Sequence, residues 1–347
     1  MRRGLEGSST RESSPGLSQT PPKRAPKPVL GDFHQIQCSC DLEFKNILSR
    51  SYHSFISRMQ TESCWRARNW LKRFPPPRSA DKAYSELLLY TLETQQYFDS
   101  VKQIELDLTR TYPGEQYYSQ NSQGQCALRR VLLAYCKYDT NLGYVQGMNF
   151  IAGALLWHAT EADAFWLFVG IMEDFELRDI YLPKLPGLTK HCQIIQLLTL
   201  ELLPRLHLQF AEHRICCEMY ATEWCFSLFG SVVPVREMKN VLDNFFRSGW
   251  VFFYRFVIAI LGCLEERLLE ARDSIEVLAP LKICHKSQAE WKQFLAVLDS
   301  GKKRLSWNQL IERAANLEID EDYIKYLHMN FDVDKGQFYL RRVATYH

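Results

Sequence analysis

Apolar positions along the chain recur at helical spacing. Leu128, Val131, Leu132 and Tyr135 fall at i, i+3, i+4 and i+7, and Phe165, Phe168, Val169 and Met172 repeat that spacing, which puts one apolar stripe on each of two helices. Leu197, Leu198 and Leu202 form a third stripe, and Leu242, Phe245 and Phe246 a fourth. Long alternating runs of Val, Ile and Thr closed by Asn-Gly or Asp-Gly turns do not occur, so the pattern predicts an all-α fold. Ser306 followed by Gln309 forms a capping-box pair ahead of Leu310, Ile311, Ala314 and Leu317, and a second short helix is expected from Asp320 to His328. The stretch Asn330 to Gly336 carries Asp332 and Asp334, but its glycine falls one place late for a calcium loop and no Glu closes it; it reads as a turn.

The most apolar run, Trp250 to Leu264, carries Arg255 near its middle and falls short of the roughly 20 residues a bilayer requires. It is expected to be a buried core helix.

Composition adds exclusions rather than chemistry. Of 347 residues, 46% are hydrophobic and 24% charged, and 42 Lys and Arg against 40 Asp and Glu leave a formal charge of +2. That balance argues against a whole-domain nucleic-acid binder, which needs a basic excess to meet phosphates. The eleven cysteines include no CxxC pair and mostly sit in apolar runs, so they read as buried thiols of a reducing cytoplasm. His191, Cys192, His213, Cys216 and Cys217 are the best metal candidates, yet their spacing fits no common zinc pattern, and no metal is expected. The opening segment lacks the apolar core of a signal peptide. Residues 1–35 are rich in Ser and Pro, and residues 1–30 hold six basic side chains against two acidic ones, which predicts a disordered basic tail with a weak attraction to anionic membrane surface. The expected organisation is that tail, a helical domain over 36–285, and a helical segment over 286–347 that completes or extends it.

Self-contained catalytic signatures are missing: there is no GxxxxGK[ST], no GxGxxG, no GxSxG and no HExxH. Two polar islands stand out instead. In the first, Ile104-Glu-Leu-Asp107-Leu-Thr-Arg110-Thr111, Asp107 and Arg110 are three apart and able to pair, and Pro113 is expected to end the helix at Tyr112, with Arg110 in its last turn. In the second, Tyr144-Val-Gln146-Gly147-Met148-Asn149, Gln146 is expected near the start of a long apolar helix, with its amide open to solvent as donor and acceptor. Taken alone, an Asp/Arg pair at this spacing is usually a structural ion pair and a Gln near a helix start is usually a cap or a solvated side chain.

In this order and 36 positions apart, the two islands resemble the signatures of the TBC-domain family of Rab GTPase-activating proteins. Ile104, Asp107, Arg110 and Thr111 match IxxDxxRT, and Tyr144, Gln146, Gly147, Met148 and Asn149 match YxQGMN. Glu223-Trp224, Pro234 and the run Asp243 to Gly249 continue the likeness, which covers roughly residues 55–280; at its start only Arg66 and Trp70 suggest the family's usual entry, before Pro75-Pro-Pro77.

The resemblance implies a multi-helix TBC domain of two helical subdomains. It also implies that Arg110 and Gln146 act in trans on a Rab-type GTPase in its GTP-bound form, as an arginine finger and a glutamine finger. Asp107, Thr111, Tyr144, Gly147 and Asn149 would support them. The chain would then be a GTPase activator and not itself a nucleotide hydrolase. It would carry no cofactor of its own, because GTP and Mg²⁺ belong to the partner, and would work in the cytoplasm or peripherally on endomembranes in vesicle traffic. A TBC-like scaffold that grips a GTPase without accelerating hydrolysis remains the alternative.

Overall fold

A computed structural model describes residues 63–282, 306–332 and 337–338. The tail expected over 1–35 lies outside the described residues. In chain order the helices are α1 (Ser63–Arg73), α2 (Ala80–Leu89), α3 (Gln95–Leu108), α4 (Gln123–Tyr138), α5 (Met148–Leu156), α6 (Glu161–Asp174), α7 (Arg178–Tyr181) and α8 (Pro186–Leu202). They continue as α9 (Pro204–Glu212), α10 (Glu218–Ser227), α11 (Val235–Ser248), α12 (Trp250–Leu269), α13 (Ser274–Leu278), α14 (Trp307–Ala315) and α15 (Glu321–Met329). The all-α expectation holds. Among the described residues the sole sheet is a two-residue antiparallel ladder, β1 (Phe331–Asp332) on β2 (Gln337–Phe338), with Phe331 opposite Phe338. β1 falls within the stretch Asn330 to Gly336 read as a turn, of which residues 333–336 lie outside the described residues.

Local chemistry sets many of the boundaries. Thr94, Ser122 and Thr160 cap α3, α4 and α6 by accepting backbone N–H groups of their first turns. Ser306 and Gln309 form the full reciprocal box at α14, as their spacing predicts, and Asp320 caps α15.

Two helices act as hubs. Around α4 pack α2, α3, α5 and α6; around α12 pack α8, α9, α11 and α14. The groups meet where α5 touches α10 and α11, and where α1 bridges α6 and α11, so the two helical subdomains share one contiguous core. As expected of a core helix, α12 is buried nearly all round from Trp250 to Leu261, and beyond that through Leu264 and Leu268 on one face. Its Arg255 reaches out of the apolar surface to the Ile319 carbonyl at 3.1 Å and towards Glu321 at 3.8 Å. No described helix is long and apolar enough to cross a membrane.

The C-terminal helices enter the same core through Trp307, Leu310, Ile311, Ala314, Ile324 and Leu327. A polar relay locks them down. The Tyr254 hydroxyl of α12 lies 2.6 Å from Nδ1 of His191 on α8 and 2.9 Å from Nε2 of His328 on α15. With one proton, Tyr254 donates to one ring and accepts from the other, which requires the ring that takes its proton to be neutral. Burial, reinforced by the nearby Lys190 charge, pushes His191 well below its ordinary value and lowers His328 from 6.5 to about 4. Of the residues considered for a metal, His191 belongs to this relay, Cys192 and Cys217 are buried free thiols, and His213 and Cys216 are half-buried; among the described residues no three His, Cys, Asp or Glu side chains are grouped to hold an ion.

Because the folded chain takes up these protons less readily than the unfolded chain, the contribution to stability is complete above pH 6.5 and is lost as pH falls from there towards 4. For His328 alone the loss is about 2 kcal/mol at pH 5. Denaturant titrations should therefore show a smaller difference between pH 7 and pH 5 in His328→Asn than in the parent; an unchanged difference would refute the assignment.

Candidate functional site

The first signature begins as helix and ends as turn. Ile104, Asp107 and Thr111 face inward and are fully buried. The helix stops at Leu108, four residues earlier than the proline predicted, and Arg110 lies outside it rather than in its last turn. Two tight turns take over, with Arg110 N–H on the Asp107 carbonyl at 3.2 Å and Thr111 N–H on the Leu108 carbonyl at 3.4 Å. Tyr112 then adopts a φ of 47°, stabilised by its hydroxyl donating to the Phe150 carbonyl at 2.8 Å. Pro113 restricts the residue before it but does not decide where the last α-helical bond forms; tertiary anchoring of Tyr112 and Thr111 does.

The second signature is a loop that runs into the start of a helix, as expected. α5 begins at Met148, so Gln146 precedes it and is exposed. Gly147 has a φ of 108°, and a Cβ there would sit 2.6 Å from the Phe226 carbonyl oxygen; both conditions require glycine. The loop is pinned along its length. Arg178 chelates the Asp139 carboxylate at 2.6 and 3.2 Å, the same carboxylate accepts Leu142 N–H through Oδ1 at 3.1 Å, and Gln96 donates to the Asn141 carbonyl at 3.1 Å. Ser100 Oγ of α3 accepts Tyr144 N–H at 3.2 Å, and Asn149 Oδ1 accepts Gly147 N–H at 3.1 Å.

One buried carboxylate joins the two signatures. Oδ2 of Asp107 accepts the Tyr144 hydroxyl at 2.5 Å, while Oδ1 forms the ion pair with Arg110 and accepts Gln103 Nε2 at 3.3 Å. Behind it, Asn149 Nδ2 donates to Thr111 Oγ1 at 2.7 Å, and that hydroxyl donates to the Asp107 carbonyl, also at 2.7 Å. Burial, followed by the hydrogen bond and charge of Asp107, raises the Tyr144 phenol far above its ordinary value, so it stays protonated and can only donate to the carboxylate. A fully buried carboxylate must be met in this way, since an unpaired one costs several kcal/mol.

Asp107 is 0% exposed, yet the Arg110 side chain keeps 40% of its surface in solvent. One edge of the guanidinium is held while the rest of its donor fork remains free. The predicted supporting residues Asp107, Thr111, Tyr144, Gly147 and Asn149 are thus brought together. Arg110 and Gln146 emerge from the two segments they bridge.

Reading the sequence missed Ser100, Gln103, Asp139 and Arg178 as supports. The pairing of Asp139 with Arg178 on α7 has no local signal in the sequence. Arg66 and Trp70 also gain a reason: both donate to one carboxylate, Asp243 on α11, at 2.9 and 2.8 Å.

Residues 63–269 match the Rab-GTPase-TBC domain family. The chain belongs to that family. It is 31% identical over 215 residues to the human TBC1 domain family member 2B, covering 62% of this chain and 22% of that protein. It is 33% identical over 168 residues to the Rab GTPase-activating protein eat-17 of Caenorhabditis elegans, covering 48% of this chain and 19% of that protein. Among such relatives the chain spans between 19% and 27% of their length. Among solved structures, the Chlamydomonas flagellar RabGAP TBC domain shares the fold with a TM-score of 0.55 at 24% identity, over 80% of this chain and 93% of that one. The Ypt/Rab-GAP domain of Gyp1p does so with a TM-score of 0.56 at 16% identity, over 84% and 98% respectively.

In this TBC domain the bridge should be measurable in stability. Tyr144→Phe removes one donor from a buried carboxylate and is expected to cost roughly 1–3 kcal/mol in chemical denaturation. Gly147→Ala should cost at least as much, because both the backbone conformation and the approach of Phe226 exclude a Cβ. A neutral result for either would contradict the geometry.

Proposed function

We propose that the chain is a GTPase-activating protein for a Rab-type GTPase, acting on the GTP-bound form with Arg110 and Gln146 as its two fingers. The observation that carries this reading is the shared anchor: Arg110 pairs with Asp107, Asp107 accepts Tyr144, and Tyr144 stands two residues before Gln146. A single buried carboxylate therefore fixes the relative position of both segments.

The chemistry suits the residues. Hydrolysis of GTP is slow where charge builds on the transferring phosphoryl group and where the attacking water is poorly held. Arg110 would meet that charge with donors left free by Asp107, and a lysine, lacking the planar fork, would substitute poorly. The Gln146 carboxamide is neutral and both donates and accepts, so it can orient a water beside phosphate. GTP and Mg²⁺ are carried by the partner. This reading assigns the chain to the cytoplasm, at the endomembranes where vesicle traffic occurs, with the basic tail adding a weak attraction to them.

Phosphate release measured across a panel of GTP-loaded Rab proteins tests the proposal. The parent chain is expected to accelerate at least one of them; Arg110→Ala and Arg110→Lys should lose most of a stimulation of roughly 10³ to 10⁵. Gln146→Ala should lose about 10²-fold, with Gln146→Glu no better because it sets a negative charge beside phosphate. Undiminished stimulation by Arg110→Ala overturns the mechanism. Binding of a GTP-loaded Rab without acceleration by the parent would instead favour the scaffold reading.

A further inference from the structure

Helix α1 turns a distinctive face outward. Between Ser63 and Ala80 the sequence holds five basic residues, Arg66, Arg68, Lys72, Arg73 and Arg78, and no acidic one. Trp65, Arg68, Asn69 and Lys72 fall at i, i+3, i+4 and i+7 and are exposed, with Arg73 beside them, while Ala67, Trp70 and Phe74 are buried. Trp65 keeps 53% of its surface in solvent, although tryptophan is on average well buried.

Arg66 explains how the indole is presented. Its guanidinium bonds Asp243 and lies 4.6 Å from the centroid of the Trp65 ring, so the side chain that anchors α1 to α11 also backs the exposed tryptophan. The ion pairs among the described residues do not include Arg68, Lys72, Arg73 or Arg78. Two contacts qualify this face: the half-buried Asp163 carboxyl is near enough to feel Arg68, and Lys72 donates to Asn69 Oδ1 at 3.0 Å. Lys239 of α11 adds a further positive charge nearby, since it and Arg66 both act on His158. Pro75 to Pro77 follow the helix and leave Arg78 exposed.

We propose that this face of α1 docks on an anionic membrane surface, with Lys72, Arg73 and Arg78 meeting lipid headgroups and Trp65 entering at headgroup level. Basic side chains beside a helix are drawn to the negative potential of a lipid leaflet, and an indole, apolar in body with one N–H donor, favours that boundary over water. A nucleic-acid backbone would favour a longer basic track, whereas here the charges are concentrated on one short helix of a nearly neutral chain and accompany a single large aromatic. Because the apolar side of α1 is already occupied by the core, attachment is mainly electrostatic, reversible and sensitive to salt.

Cosedimentation of the full chain with phosphatidylcholine vesicles, with and without phosphatidylserine, tests this independently of any GTPase. The parent is expected to partition onto the phosphatidylserine vesicles and to leave them as salt is raised. Neutralising Lys72, Arg73 and Arg78 together to Gln should weaken partitioning by about 10²-fold, roughly fivefold for each charge near the surface. Trp65→Ala should weaken it several-fold, and circular dichroism should be unchanged for both variants. Equal binding to neutral and anionic vesicles overturns the proposal, as does full binding by the triple variant, the outcome expected if residues 1–62 cover this face. A companion variant with Arg2, Arg3, Lys23, Arg24 and Lys27 changed to Gln separates the two basic regions: if only this one loses binding, the tail and not α1 is the docking element.

Discussion

A carboxylate sealed away from water organises the site. Asp107 cannot remain charged in the core without donors, and its donors come from different parts of the chain: Gln103 on its own helix, Arg110 in the turn beyond it, and Tyr144 from the loop ahead of α5. Each is held in place by what the carboxylate needs. The same demand that keeps the interior electrically satisfied therefore sets the spacing of two surface side chains. Much of the surrounding architecture serves this point, since the loop carrying Gln146 is further tied by Ser100 and Gln96 on α3 and, through Asp139, by Arg178 on α7.

Around the site the helices divide the labour. α4 and α12 are the two hubs, and α5, between them, carries the second signature at its N-terminus where the subdomains meet. That placement gives an exposed loop a rigid base. Gly147 shows how close the approach is, with the backbone of Phe226 from the far subdomain lying where a side chain would otherwise be, and Tyr181 donating to that same Phe226 carbonyl at 2.6 Å.

What could be read from the residues alone divides along the same line. Apolar spacing, the capping box at Ser306 and the mid-run arginine of α12 are local signals, and each produced the expected element. The signature residues were legible because all nine of them lie in two short runs. The exact path of those runs was not: α3 ends early and Gln146 falls before its helix, because Tyr112 and Gly147 take positive φ values where they meet partners on α5 and α10. Ser100, Arg178 and Gln103 escaped notice for a related reason. An isolated serine, arginine or glutamine on an amphipathic helix looks like a solvated side chain until the segment facing it is known.

The match to the Rab-GTPase-TBC family ends at Leu269, the last residue of α12, whereas the contiguous apolar core runs on to Leu327. A fragment trimmed to the shared region would strip Leu310, Ile311 and Ala314 from the surface of α12 and leave the Arg255 guanidinium without the Ile319 carbonyl. The physical unit is thus longer than the stretch matched to the family. Anyone expressing this domain should choose its end by the covering of α12, since the shorter piece would present a large oily surface to the solvent and come out of solution.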